Sequence, residues 1–471
     1  MEHQRKLFQQ RGYSEDLLPK TQSQRTWKIF NYFTLWMGSV HNVPNYVMVG
    51  GFFILGLSTF SIMLAIILSA FFIAAVMVLN GAAGSKYGVP FAMILRASYG
   101  VRGALFPGLL RGGIAAIMWF GLQCYAGSLA CLILIGKIWP GFLTLGGDFT
   151  LLGLSLPGLI TFLLFWLVNV GIGFGGGKVL NKFTAILNPC IYIVFGGMAI
   201  WAISLVGLGP IFDYIPSGIQ KAENSGFLFL VVINAVVAVW AAPAVSASDF
   251  TQNAHSFREQ ALGQALGQTL GLVVAYILFA VAGVCIIAGA SIHYGADTWN
   301  VLDIVQRWDS LFASFFAVLV ILMTTISTNA TGNIIPAGYQ IAAIAPTKLT
   351  YKNGVLIASI YLFLDIIGGM LGPVIGVMMA HYFVVMRGKI NLDELYTAPG
   401  DYKYYDNGFN LTAFSVTLVA VILSLGGKFI PFMEPLSRVS WFVGVIVAFA
   451  AYALLKKRTT AEKTGEQKNI G

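Results

Sequence analysis

Apolar runs of about twenty residues recur along this 471-residue chain, as in IMLAIILSAFFIAAVMVL at 62–79. Nothing constrains the fold more. A run of that length, written as a helix, matches the hydrocarbon thickness of a bilayer. Charged residues make up only 10% of the sequence and hydrophobic ones 57%, at a mean hydropathy of +0.79. Soluble domains carry about 25% charged residues. The chain therefore reads as an all-α polytopic membrane protein of about 12 transmembrane helices. The opening MEHQRKLFQQRGYSEDLLPK is polar and lacks the apolar core of a cleavable signal, so the first span is expected to serve as the insertion signal.

Spans are expected at 30–56, 59–82, 113–136, 157–177, 184–206, 226–248, 264–290, 311–336, 355–367, 369–386, 410–429 and 436–455. With the N-terminus inside, 23 of the 28 Lys and Arg residues fall on the inner side, counting Lys86, Arg96, Arg102 and Arg111 as one inner loop. This asymmetry predicts cytoplasmic termini, with tails at 1–29 and 456–471. It also makes the net charge of +9 an orientation signal and not a nucleic-acid patch. The cysteines Cys124, Cys131, Cys190 and Cys285 all lie in apolar spans without CxxC spacing, which predicts packing and neither disulfide nor metal.

Two spans are interrupted at mid-depth: span 1 by GSVHNVPNY (38–46) and span 6 by WAAPAVSASD (240–249). Irregular backbone is tolerated at that depth only where protein or a watery cavity covers it. The two are the first spans of two five-span blocks, 30–206 and 226–386. Five being odd, the second block would be inserted upside down relative to the first, with 410–455 as two further spans. Paired broken helices in inverted halves point to a transporter's binding site. Neutral kinks are the plainer reading.

Trp119 and Gln123 in IMWFGLQCY share a helix face, and Asn329 and Asn333 repeat that four-residue spacing. Two indoles, Trp119 and Trp240, with two carboxamides, Gln123 and Asn333, suit a planar ligand bearing amide or urea groups. Each alone is as well accounted for by packing or interhelical glue. Thr324, Ser327 and Thr328 line one face of span 8. Such hydroxyls suit Na⁺ or, equally, bond back to their own helix carbonyls. His41 and Asn42 lie in the break of span 1 as substrate-side contacts, His41 also as a proton carrier. His381, Asp249 and Asp365 are the other ionisable groups, the two aspartates favouring structural roles near span ends. GIGFGGGK (171–178) contains G-x-G-x-x-G, but no strand precedes it and Val179 stands where a P-loop needs Ser or Thr. No HExxH, GxSxG or paired-carboxylate motif argues for an enzyme.

WMGSVHNVPNY (36–46), NGAAGSKYGVPFAMILRASYG (80–100), MWFGLQCYAG (118–127), TISTNATGNIIPA (325–337) and GGMLGPVIGVMMAHYF (368–383) together resemble the nucleobase–cation–symport-1 family over nearly the whole chain. That family includes hydantoin, cytosine and allantoin transporters. The resemblance implies a five-plus-five inverted repeat with two further helices, importing a planar ureide or nucleobase-like compound, allantoin foremost, with uracil, hydantoins and purines as alternatives. It implies stacking by Trp119 and Trp240, edge hydrogen bonds from Gln123 and Asn333, and backbone contact at Val239. It also implies a sodium site of Met37 and Val40 carbonyls with Thr324, Ser327 and Thr328, the coupling ion being Na⁺ or H⁺. The implied partners are a small substrate and membrane lipid; oligomeric state is open. Two features depart. VLIASI runs directly into YLFLDIIGG, so a piece of the ninth span is missing, which raises a ligand-binding, transport-impaired protein as an alternative. ALGQALGQ (261–268) reads as a short duplication.

Overall fold

In a computed structural model the described residues are 2–151, 154–216, 218–279, 300–360, 368–396, 408–428 and 430–468. Cys285, Asp365, the outer part of span 7 and the end of span 9 lie outside them. The described chain is almost entirely helical, its one sheet being a two-residue hairpin pairing Thr150–Leu151 with Leu154–Ser155.

Four described helices are long and apolar enough to cross a membrane: Thr59–Tyr87, Leu105–Ile138, Leu156–Val206 and Leu311–Ala342. This is fewer than the spans expected from sequence, for local reasons. Spans 4 and 5 run on as Leu156–Val206, bent at Gly176, whose φ of 58° and ψ of −159° suit only glycine. The glycine-rich GIGFGGGK is thus a junction between helices. Spans 1 and 6 are cut into pieces, and the last begins with an 86° bend between Pro431–Ser437 and Ser440–Lys456.

The helices sort into two packed groups. Span 7 (Phe257–Phe279) lies against both span 1 (Ile29–Val40) and span 2 (Thr59–Tyr87), and span 2 packs on span 6 (Ser225–Val239). Span 3 (Ala116–Ile138), the long 156–206 helix and span 8 (Leu311–Asn329) form the other group. The ALGQALGQ repeat accounts for the closeness of the first. Its glycines face span 1, where a Cβ on Gly263 would sit 2.6 Å from Ile29 O. Gln260, just before the repeat, and the repeat's own Gln264 and Gln268 form a row toward span 2: Gln260 Nε2 donates to Val78 O at 3.3 Å, Gln264 Nε2 to Gln260 Oε1, and Gln268 Nε2 meets Met77 Sδ at 3.3 Å.

The N-terminal tail is folded onto one end of the bundle. Phe8 stacks on Tyr396 at 4.1 Å. Lys20 N–H donates to Gly88 O at 2.8 Å, and Trp27 exchanges backbone bonds with Asn253 and His255. Burial holds the Lys20 ammonium down to about 8. Three residues counted from sequence as inner charges or edge groups are buried within the protein. Arg96 and Arg111 are buried. Asp249 accepts from Phe91 N–H at 2.9 Å, at the start of the helix Phe91–Tyr99, and from Gln340 Nε2 at 3.4 Å. His381 pairs with Tyr452 at 2.8 Å, on span 10. Cys124, Cys131 and Cys190 are free thiols.

Candidate functional site

Span 1 breaks at His41 and Asn42. Its helix ends at Val40, and Val43–Phe52 restarts with Pro44 in the first turn, where a missing N–H costs nothing. Asn42 caps that restart, its Oδ1 accepting from Asn45 N–H at 3.0 Å. The carbonyls left open by the break are met locally. Asn45 Nδ2 donates to Val40 O at 2.8 Å, and Asn42 Nδ2 to Ser39 O at 3.1 Å.

Span 6 stops at Trp240 (φ −91°, ψ 0°) and continues as the short turns Ala241–Val245 and Ser248–Thr251. Span 8 changes pitch to a π-turn over Ala330–Ile334, a form that often marks functional positions. A second π-turn, Leu109–Ala115, leads into span 3.

These irregular stretches enclose a cavity of about 40 Å³. Trp119, Gln123, Val239, Trp240, Asn333 and Asn42 all line it. They come from spans 1, 3, 6 and 8, so the structure brings together residues up to 291 positions apart in the chain. Gln123 is 2% exposed, and its Oε1 has no partner among the described residues, nor has Trp240 Nε1. An unsatisfied buried amide oxygen and indole N–H beside an open space are placed to bond a guest. Asn333 Nδ2 donates to Asn329 Oδ1 at 2.8 Å, while Asn329 is itself anchored to Phe120 O and Cys124 Sγ at 3.4 Å. The asparagine pair at i, i+4 is therefore a relay that orients Asn333. The indole of Trp240 is held edge-on by Trp36, ring centres 6.0 Å apart.

His41 is not brought to the cavity. Its ring is fully buried, pairs through Nδ1 with Tyr46 Oη at 2.9 Å, and lies 5.5 Å from the Phe195 ring. The turn that exposes Asn42 to the cavity points its neighbour the other way. Sequence reasoning also missed Ser39, Asn45 and Thr331, which line the cavity as well. Ser39 and Asn45 stood in the quoted break, and their polarity at mid-depth was the available signal.

The hydroxyl face of span 8 divides. Thr324 Oγ1 bonds back to Ile321 O at 2.8 Å, and Thr328 Oγ1 is 2.9 Å from both Thr324 O and Ser39 O. Ser327 Oγ is buried without a partner among the described residues, close to Gly38, where an added Cβ would meet it at 3.1 Å. Val40 O is occupied by Asn45, and Met37 lies buried in the same helix end. Among the described residues no group of three or more His, Cys, Asp or Glu is placed to hold a metal.

Set against known proteins, the chain matches the family described as "Permease for cytosine/purines, uracil, thiamine, allantoin" over residues 19–361 and 358–444. The two stretches meet where the ninth span is short. A protein of Escherichia coli (strain K12) named "Putative allantoin permease" is 94% identical over 488 positions, covering 100% of both chains. That alignment has at least 17 positions with no residue here. The allantoin permease of Bacillus subtilis (strain 168) is 37% identical over 462 positions, 94% of this chain and 93% of the relative. Among solved structures, Mhp1, a nucleobase–cation–symport-1 transporter in a closed conformation with bromovinylhydantoin bound, superposes with a TM-score of 0.73 at 22% identity, covering 96% of each chain. That likeness concerns the fold. The chain thus belongs to the cytosine, purine, uracil, thiamine and allantoin permease family, and is a membrane transporter and not an enzyme.

Proposed function

We propose that this protein imports allantoin across a bacterial inner membrane, both termini cytoplasmic, by alternating access about the cavity between spans 1, 3, 6 and 8. One observation carries the reading: two indoles and two carboxamides converge on one buried space, with Gln123 Oε1 and Trp240 Nε1 unpartnered. Allantoin is a flat ring with a ureido arm, its edges alternating N–H and C=O. Trp119 and Trp240 stack on its faces, and Gln123 and Asn333 pair with its edges. Val239 offers backbone, and Asn42 closes the side toward span 1. The names of the two permease relatives support this substrate over uracil, hydantoins or purines. A space of about 40 Å³ holds roughly three waters and not a ring, so loading requires one wall to move.

Each of the repeats 30–206 and 226–386 supplies spans to both moving groups, with 410–455 as an outer pair and 1–29 and 456–471 as tails. The coupling cation is Na⁺, held by Ser327 with the carbonyl of Met37 and the hydroxyls of Thr324 and Thr328, and by the Val40 carbonyl once Asn45 Nδ2 releases it. The unpartnered Ser327 hydroxyl against span 1 supports this; H⁺ is the alternative.

Uptake of labelled allantoin into cells lacking other carriers tests the reading, with competitors and with sodium replaced by choline. Trp119→Ala and Gln123→Ala should each cut uptake about tenfold or more. Uptake at the wild-type level by both variants would sink the site. Sodium dependence that survives Ser327→Ala would remove that residue from the ion site. The shortened ninth span favours a second reading, a protein that binds allantoin without moving it. Saturable binding to purified protein, with no accumulation in proteoliposomes, would establish that one.

A further inference from the structure

Arg111 is fully buried at the approach to span 3, eight residues before Trp119. A buried guanidinium is costly unless its hydrogens are met. Here Nε donates to Ala242 O at 2.6 Å and to Ser246 Oγ at 3.1 Å, and Nη2 donates to Gly332 O at 2.6 Å. Ala242 and Gly332 both line the cavity, two residues beyond Trp240 and one before Asn333. One side chain therefore ties the broken backbones of spans 6 and 8 together beneath the cavity.

The three acceptors are not equivalent. Arg111 sits on a π-turn packed so tightly on span 8 that a Cβ on Gly112 would lie 2.6 Å from Gln340 Cβ. Its bond to Gly332 stays within one helix group. The bonds to Ala242 and Ser246 cross to span 6, in the other group, where the halves must part. Arg111 Nη1 has no partner among the described residues, and Asp249 lies within electrostatic range of the guanidinium. The closed arrangement is therefore incompletely satisfied, and an alternative acceptor, the Asp249 carboxyl, stands nearby.

We propose that Arg111 is the positioning residue of the inner gate: its bonds to Ala242 and Ser246 hold span 6 closed against spans 3 and 8, and their release opens the cavity to the cytoplasm. This rests on the transporter reading but not on the substrate.

Hydrogen–deuterium exchange on purified, substrate-free protein tests it. In Arg111→Gln, amides of 241–251 should exchange roughly tenfold faster or more, since charge-assisted bonds are lost. Those of 43–52, on the outer side, should exchange at the wild-type rate or slower, because the two sides open alternately. Arg111→Lys keeps the charge and reaches fewer acceptors, so it should shift the same way by less; it decides the matter if Arg111→Gln does not fold. Faster exchange on both sides would mean a general clamp, and unchanged exchange at 241–251 no gate; either overturns the proposal. Wild-type protein that fails to take up allantoin would overturn the substrate and leave this result standing.

Discussion

The two broken spans solve one problem in opposite ways. Each interrupts a helix at mid-depth and leaves carbonyls that lipid cannot satisfy. In span 1 most donors come from the same segment: Asn42 and Asn45 turn back on Ser39 O and Val40 O within five residues, and Thr328 Oγ1 alone reaches Ser39 O from span 8. In span 6 Ser246 Oγ donates locally to Ala242 O at 3.1 Å, but the other side-chain donors come from elsewhere. Asn80 Nδ2 donates to Ala244 O and Val245 O, both at 2.8 Å, and Arg111 to Ala242 O. Those donors stand 131 to 165 positions away. A self-tied break travels as a unit with its helix. A break tied to two other spans changes whenever those spans shift, so span 6 is the better placed of the two to report movement.

The largest effect should come from Trp240→Ala, which removes a ring face at the span 6 break. Allantoin affinity should fall roughly 10- to 100-fold, as measured by competition binding, if stacking matters as it does for nucleobases. Little change there would strip span 6 of its ligand role. Next, Asn80→Ala removes the side-chain donor from two buried carbonyls and should destabilise by about 1–3 kcal/mol, read as a lowered melting temperature in detergent. Asn45→Ala should cost less, about 0.5–1.5 kcal/mol, because Val40 O keeps the Asn42 backbone N–H at 3.1 Å. Were Asn45→Ala the more damaging, the contrast between local and borrowed satisfaction would fail. Smallest, His41→Gln should change allantoin affinity by less than about twofold, since the imidazole faces Tyr46 and Phe195; a larger loss would return His41 to the site.

Both breaks were visible in the sequence, because proline and small polar residues weaken an apolar helix at mid-depth and bury poorly in lipid. Trp119, Gln123, Trp240 and Asn333 were legible for a related reason, as polar or amphipathic groups where none is required. Neighbours could not be separated that way. His41 and Asn42 look equivalent in one dimension, yet the turn between Val40 and Val43 sends one ring into protein and the other amide to the cavity. Charge counting also could not show that Arg111 is buried. A basic residue near a span end reads as a loop signal, whereas the π-turn carries this one inward.

What the sequence determined alone is the solvent: runs of this length and apolarity require helices in a bilayer, with irregular backbone confined to a protected interior. Only the tertiary structure decided who satisfies that backbone. Hydrophobic periodicity is local and survives reading along the chain. A hydrogen bond from Arg111 to Ala242 or from Asn80 to Val245 exists only once helices far apart in sequence are packed together, and the carbonyl it meets has no side chain to announce the need.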